Sequence, residues 1–299
     1  MTNTQADRVK EVARLAGRPS RSRRLEFLAE GPQAVREAVR LHLERHGAGQ
    51  DDVVVDGFAT VEALERHADI ADLFASDGAP TLRMVTPEVL AAMSSTVTPQ
   101  GFVAVCRFVD SSLDAVLASG PRLVAVLVEV RDPGNAGTII RAADSAGADA
   151  VVLTSGSVDP YNPKTVRSTV GSLFHLPLVI GVEVEGLLDR LRRAGMTVLA
   201  ADGHGAMSLD DLQDASAARR FGASGGVPTG PTPDSPGLVR LEDAGAWLFG
   251  NEAQGLPAEI TAAADARVAV PIYGRAESLN VGTAATVCLY ASARAHRLR

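Results

Sequence analysis

Cysteine is nearly missing from this 299-residue chain: only Cys106 and Cys288 occur, far apart and without metal-ligand spacing. That excludes a disulfide framework and makes a zinc site an unsuitable reading; both are expected as small buried hydrophobes. Long apolar runs are also missing, none approaching the roughly 18 residues that span a bilayer. The N-terminus is charged and lacks a secretory apolar stretch, so the cytoplasm is the expected compartment and no membrane partner is expected. Neither a Gly-x-Gly-x-x-Gly fingerprint nor a Gly-Lys-Ser/Thr phosphate loop appears, which argues against a nicotinamide-dependent oxidoreductase and a nucleoside triphosphatase.

Net positive charge is lacking too: 36 acidic residues outnumber 29 basic ones, for a net −7. The distribution qualifies this. Residues 8–24 hold seven basic side chains against Glu11 alone, a local +6 that leaves −13 on the remainder. Such a segment is either a solvated basic surface or a local phosphate contact on an acidic body.

What is present is a hydrophobic fraction of 46% and enough length for two domains. Residues 5–17 read as a helix closed by Gly17, with Pro19 just beyond, and 18–24 as an arginine-rich loop. A strand at 25–29, a helix from Pro32 to about His46, short strands at 53–55 and 83–85, helices at 60–68 and 87–93, and a strand at 101–106 form an α/β unit. The predicted boundaries are 1–108 for this unit, 109–121 for a linker with a short helix, and 122–299 for a second unit.

The second unit alternates continuous apolar strands with helices, the pattern of a parallel sheet covered on both faces. Strands are predicted at 123–128, 150–153, 176–180, 197–201, 246–250 and 267–270. Helices are predicted at 137–147, 161–171, 184–194, 257–264 and 279–296, the last with Ser278 as N-cap. Residues 213–240 interrupt the pattern, and Gly/Pro-rich 222–237 reads as a surface insertion.

Three turns follow predicted strands, the position where open α/β sheets place ligands. They are Asn-x-Gly-x-x-x-Arg at 135–141, Gly-Asn-Glu-x-x-Gly-Leu at 250–256 and Pro-x-x-Gly-x-x-x-Ser-Leu-Asn-Val at 271–281. Each alone has an ordinary structural reading, and Glu277 reads as a solvated loop charge.

Together, in this order, the three resemble the signatures of the SpoU/TrmH family of S-adenosylmethionine-dependent RNA 2′-O-ribose methyltransferases. The stretch from Val166 to Pro177 carries further resemblance, and 18–106 is similar to the family's N-terminal RNA-binding module. The resemblance implies a parallel sheet threaded into a trefoil knot and a homodimer through the knotted domain. The small-residue face Val281, Ala284, Ala285, Cys288 and Ala291 suits that interface, and equally a helix buried within one chain.

It further implies S-adenosylmethionine held near Leu199, Ala200, Ala201, Gly250, Val270, Ile272 and Leu279, with no metal. Arg141, Asn135, Glu252, Ser278 and Asn280 are the implied catalytic set. Arg141 is implied to activate the hydroxyl, but a guanidinium with a pKa above about 12 has no acceptor, so a phosphate clamp is the sounder role. Arg18, Arg21, Arg23 and Arg24 are the candidate RNA contacts. Ribosomal RNA is the favoured substrate; transfer RNA, or a non-catalytic RNA-binding protein of the same fold, stays open.

Overall fold

Alternation of apolar runs and helix signals carries through to a computed structural model that describes residues 1–221 and 239–297. The Gly/Pro-rich stretch 222–237 lies outside the described residues. In chain order the elements are α1 (Asp7–Ala13), α2 (Arg18–Arg24), β1 (Glu26–Glu30), α3 (Pro32–Gly47), β2 (Val54–Ala59), α4 (Val61–Arg66), α5 (Ala68–Ala75), β3 (Leu82–Met84), α6 (Pro87–Met93) and β4 (Phe102–Arg107). There follow α7 (Leu113–Ala118), β5 (Leu123–Leu127), α8 (Pro133–Ala146), β6 (Ala150–Thr154), α9 (Pro163–Thr169), β7 (Leu178–Val182) and α10 (Leu187–Arg193). The rest are β8 (Thr197–Ala201), β9 (Met207–Ser208), α11 (Leu209–Phe221), β10 (Gly245–Phe249), α12 (Ala258–Ala263), β11 (Ala266–Ala269) and α13 (Val281–His296).

The chain divides into two units: residues 1–109 with 159–175, and 110–158 with 176–299. In the first, β1, β4, β2 and β3 form a four-stranded sheet in that order, antiparallel except for the β2–β3 pair. Val9, Val12, Leu15, Leu28, Phe58, Leu90, Met93, Val103 and Val105 form a buried cluster on it. A second cluster, aromatic, gathers Phe27, Phe108, Tyr161 and Phe174, with Phe108 stacked on Tyr161 at 3.9 Å between ring centroids. Tyr161 and Phe174 come from the 159–175 segment, which by sequence order follows the second unit's first strands.

The segment 18–24, expected as a loop, is helical. Gly17 closes the helical turn Arg14–Ala16 that follows α1, donating its N–H to Arg14 O at 3.1 Å, and is at once the N-cap of α2, with Pro19 in that helix's first turn, where its missing N–H costs no bond. Arg21 then points inward. Its side chain is 2% exposed, and its guanidinium donates to Leu15 O (3.0 Å), Ala16 O (2.7 Å) and Asp159 Oδ2 (2.7 and 3.1 Å).

The second unit holds a seven-stranded, wholly parallel sheet of order β7-β6-β5-β10-β8-β11-β9. Residues 213–221, expected to belong to the insertion, continue α11 instead. On α13, the small face Ala285, Cys288 and Ala291 is buried against its own chain, in α8 and the strands β10, β5 and β8. Trp247 of β10 pins that helix by donating Nε1–H to Ser292 Oγ at 2.9 Å. The small residues therefore serve intrachain packing. Both cysteines are free and fully buried, and burial pushes both thiol pKa values up. No helix among the described residues is long and apolar enough to cross a membrane.

Candidate functional site at the strand carboxyl ends

Strand order decides what meets at the sheet's edge. β5, β10, β8 and β11 are consecutive neighbours and all parallel, so the loops after Leu127, Phe249, Ala201 and Ala269 emerge side by side. Between the last three lies a cleft of about 1170 Å³, larger than the ~300–1,000 Å³ of common small-molecule sites. Ala201, Gly250, Val270, Ile272 and Leu279 line it, together with Glu252, Glu277, Ser278 and Asn280.

The cleft wall is built for close backbone approach. A Cβ on Gly250 would fall 2.3 Å from Gly255 C and 2.4 Å from Leu256 N, so only glycine lets the 250–256 loop fold back there. Asn251 and Gly255 close that loop by exchanging backbone bonds of 3.0 and 2.8 Å. Asn251 Nδ2 also donates to Glu129 O at 3.0 Å. Glu129 has φ 51°, an uncommon backbone state for a residue with a side chain, right where β5 ends.

α8 begins earlier than expected, at Pro133, with Asp132 as N-cap accepting Asn135 N–H at 2.8 Å. This places Asn135 in the first turn. Its Nδ2 donates to Glu252 Oε1 at 3.1 Å, and its Oδ1 accepts Asn280 Nδ2–H at 2.9 Å. Glu252 Oε1 also accepts Asp132 N–H at 3.2 Å. The helix α13 starts later than expected: Asn280, not Ser278, is its N-cap, with Oδ1 accepting from Gly282 N (2.9 Å) and Thr283 N (3.4 Å). One unbroken chain, Glu252–Asn135–Asn280, thus joins the three loops. Burial pushes the Glu252 carboxyl up, but its own backbone amide, Asn135 and the Asp132 and Arg131 amides outweigh this and hold it below its usual value. It is a carboxylate at neutral pH.

Gly282 lies where α8 and α13 touch. A Cβ there would meet Thr138 Cγ2 at 2.8 Å and Asn280 Oδ1 at 3.2 Å, so a side chain would press on both the helix contact and the cap. On the far wall, Arg267 donates to Asp202 Oδ2 at 2.9 and 2.7 Å. Burial raises the Asp202 pKa, but the His204 amide and the Arg267 guanidinium outweigh it, and the net shift is downward.

The expected residues are not all brought together. Leu199 and Ala200 are buried in β8 and do not line the cleft; only Ala201, at the strand's end, does. The alternation of a strand covered on both faces leaves its interior residues no opening. Arg141 lies two turns into α8, exposed, outside the cleft lining, and among the described residues makes no hydrogen bond or ion pair. Ser278 is exposed in the cleft and, among the described residues, makes no hydrogen bond. Of the arginines expected to meet RNA, Arg21 is consumed by the interior, a correction forced by its burial. Arg24 is paired with Glu26 at 2.9 Å, while Arg18 and Arg23 are exposed without partners among the described residues. Asp132, Asn251 and Gly282 were not among the expected site residues. The Asp-Pro pair at 132–133 is itself a helix-start signal that could have moved α8 back. Among the described residues no cluster suits a metal ion.

Comparison with known proteins follows the same outline. Residues 122–290 match the SpoU rRNA Methylase family, and residues 6–104 match the MRM3-like substrate binding domain. The chain is 32% identical, over 95% of its length and 94% of the relative's, to the 23S rRNA (guanosine(2553)-2′-O)-methyltransferase RlmP of Bacillus subtilis. It is 29% identical, over 94% of its length and 87% of the relative's, to a 23S rRNA (uridine(2479)-2′-O)-methyltransferase of Streptomyces viridochromogenes. Among solved structures, the AdoMet-bound rRNA methyltransferase from Sinorhizobium meliloti superposes with a TM-score of 0.75 at 26% identity, covering 100% of this chain and 98% of that one.

Proposed function

The chain belongs to the SpoU rRNA methylase family, and from that premise we propose that it methylates a ribose 2′-hydroxyl of ribosomal RNA with S-adenosylmethionine. The observation that carries this reading is the Glu252–Asn135–Asn280 chain standing beside the Gly250 cradle. The cradle fits the cofactor on its own terms: a glycine where any Cβ would collide, apolar Val270, Ile272 and Leu279, and volume for a nucleoside besides. Ala201, Gly250, Val270, Ile272 and Leu279 would hold the cofactor, which supplies an electrophilic sulfonium methyl.

The chain's own residues have the remaining work. The ribose hydroxyl must be aimed along the line of transfer, and its proton must leave as the oxygen–carbon bond forms. Glu252, ionised and fixed by Asn135, is an acceptor that orients the hydroxyl; its lowered pKa makes it a weak base. Ser278 offers an uncommitted hydroxyl in the same cleft. Arg141, a permanent cation without an acceptor, suits the flanking phosphate.

A homodimer and a knotted chain complete the reading. α8 and α13 pack together and expose one surface: Thr138, Arg141 and Ser145 on one helix, Thr283, Val287, Tyr290 and Arg294 on the other. With Val287 and Tyr290 exposed there, this surface suits a second copy, and Arg141, outside its own chain's cleft, then serves the partner's. Threading rests on the family match; at Gly205, where a Cβ would fall 2.6 Å from Arg267 O, one backbone segment crosses closely over another, as a threaded chain requires. The first unit, with Arg18, Arg23 and Arg24, is the RNA-binding module. Ribosomal RNA as substrate sets the reaction in the cytoplasm.

The test is to map 2′-O-methylation across total RNA from cells with and without the chain. One ribosomal position should lose its mark; an unchanged ribosomal map with a lost transfer RNA mark would redirect the substrate.

A further inference from the structure

The methyl acceptor is a ribose hydroxyl, the same in every nucleotide, so the groups around it do not hold the base. Something else must, or the ribose is presented in no fixed orientation. Among the described residues the exposed Phe and Tyr rings are Phe221, Tyr273 and Tyr290; Tyr273 directly follows a residue of the cleft wall, and the exposed His204 imidazole lies in that wall. Tyr273 follows the cleft residue Ile272 in the loop between β11 and α13 and is 83% exposed. Its hydroxyl donates to the carboxylate of Asp210, in the first turn of α11, which tethers the ring's polar end and leaves the ring open. Arg275, two residues on, is exposed and without a partner among the described residues.

We propose that Tyr273 is a positioning residue, a stacking platform for the base of the nucleotide whose ribose enters the cleft. This deepens the methyltransferase reading and rests on it. An apolar ring left in water gains by covering a base face, and stacking tolerates any base because all four present one. The Asp210 bond fixes the ring in advance, so less freedom is lost when a base arrives. The neighbouring Arg275 supplies the cation that a nucleotide's phosphate requires.

The experiment compares the full chain with Tyr273→Phe, Tyr273→Leu and Tyr273→Ala, using ribosomal RNA from cells lacking the chain and S-adenosylmethionine as probes. KM for RNA should stay within a few-fold of wild type in Y273F and rise about tenfold or more in Y273L and Y273A, the range one stack supports. S-adenosylmethionine affinity, read by calorimetry, should be the same in all four. Ultraviolet irradiation of the wild-type complex should crosslink RNA to the peptide at Tyr273. A wild-type KM in Y273L, or lost cofactor affinity with unchanged RNA KM, overturns the proposal. If the wild-type chain methylates no RNA, the functional reading fails separately, and the crosslink alone decides: RNA attached elsewhere but never at Tyr273 removes the platform.

Discussion

At the scale of single residues, Asn280 has two separable tasks. Its Oδ1 caps α13 and its Nδ2 holds Asn135. Asn280→Ser keeps a capping oxygen but loses the second donor, whereas Asn280→Ala loses both. We expect N280S to unfold within a few tenths of a kcal/mol of wild type yet lose most methyl transfer, and N280A to lose about 1 kcal/mol as well. Denaturant titration beside single-turnover rates separates the two; full activity in N280S would remove the Asn135 contact from the mechanism. Glu252 carries a pH dependence whose sign follows from its lowered folded pKa. Its contribution to stability is fully present above the ordinary carboxylate value and is lost as pH falls through the lowered folded value. The difference in thermal midpoint between wild type and Glu252→Gln should therefore be constant near neutrality and shrink only in that acidic window; a difference that vanishes near pH 7 contradicts the assignment.

Elements show what the sequence could and could not announce. The three polar turns were legible because close backbone approach, capping and strand ends demand particular residue types at fixed spacing, and β8 is found over the predicted 197–201. α2 was not, since Gly17 and Pro19 punctuate equally well as a stop or a start. Arg21 was not, because its partner Asp159 is 138 residues away. The contacts of Tyr273 with Asp210 and Asn135 with Glu252 are non-local in the same way, and no local pattern encodes them. The misread helix changes which arginines to test. Arg21→Ala leaves Asp159 without its cation in a mostly buried setting and should cost about 3–5 kcal/mol, seen as a lower denaturation midpoint. Arg18→Ala with Arg23→Ala should leave that midpoint unchanged while weakening RNA binding and flattening its salt dependence. An unchanged salt slope would make the exposed arginines a solvated face. At Gly282, Gly282→Ala drives a methyl against Thr138 and should cost about 1–3 kcal/mol, partly restored by Thr138→Ala if that contact is the cause.

For the whole molecule, the question is whether Arg141, exposed and outside its own cleft, takes part in the reaction through its own chain or through a second copy. Two answers make different arithmetic. If Arg141 serves the cleft of its own chain, Arg141→Ala and Glu252→Gln are each dead, and mixing them gives nothing. If it serves the cleft of a second copy, a mixed dimer holds one site with both an intact Glu252 and an intact Arg141, and one site with neither. Random pairing makes about half the dimers mixed, each with one working site of two, so about a quarter of wild-type activity should return. The subunits must exchange, so the two variants are co-expressed with different tags and the doubly tagged dimer is isolated; there the expected activity is about half that of wild type. An inactive doubly tagged dimer assigns Arg141 to its own chain, and a chain that elutes only as a monomer removes the α8–α13 surface as an interface. The packing that buries the small face of α13 in its own chain turns Val287, Tyr290 and the neighbouring Arg141 outward, so under the proposed dimer a second chain would meet Arg141, and the mixed dimer tests whether it does.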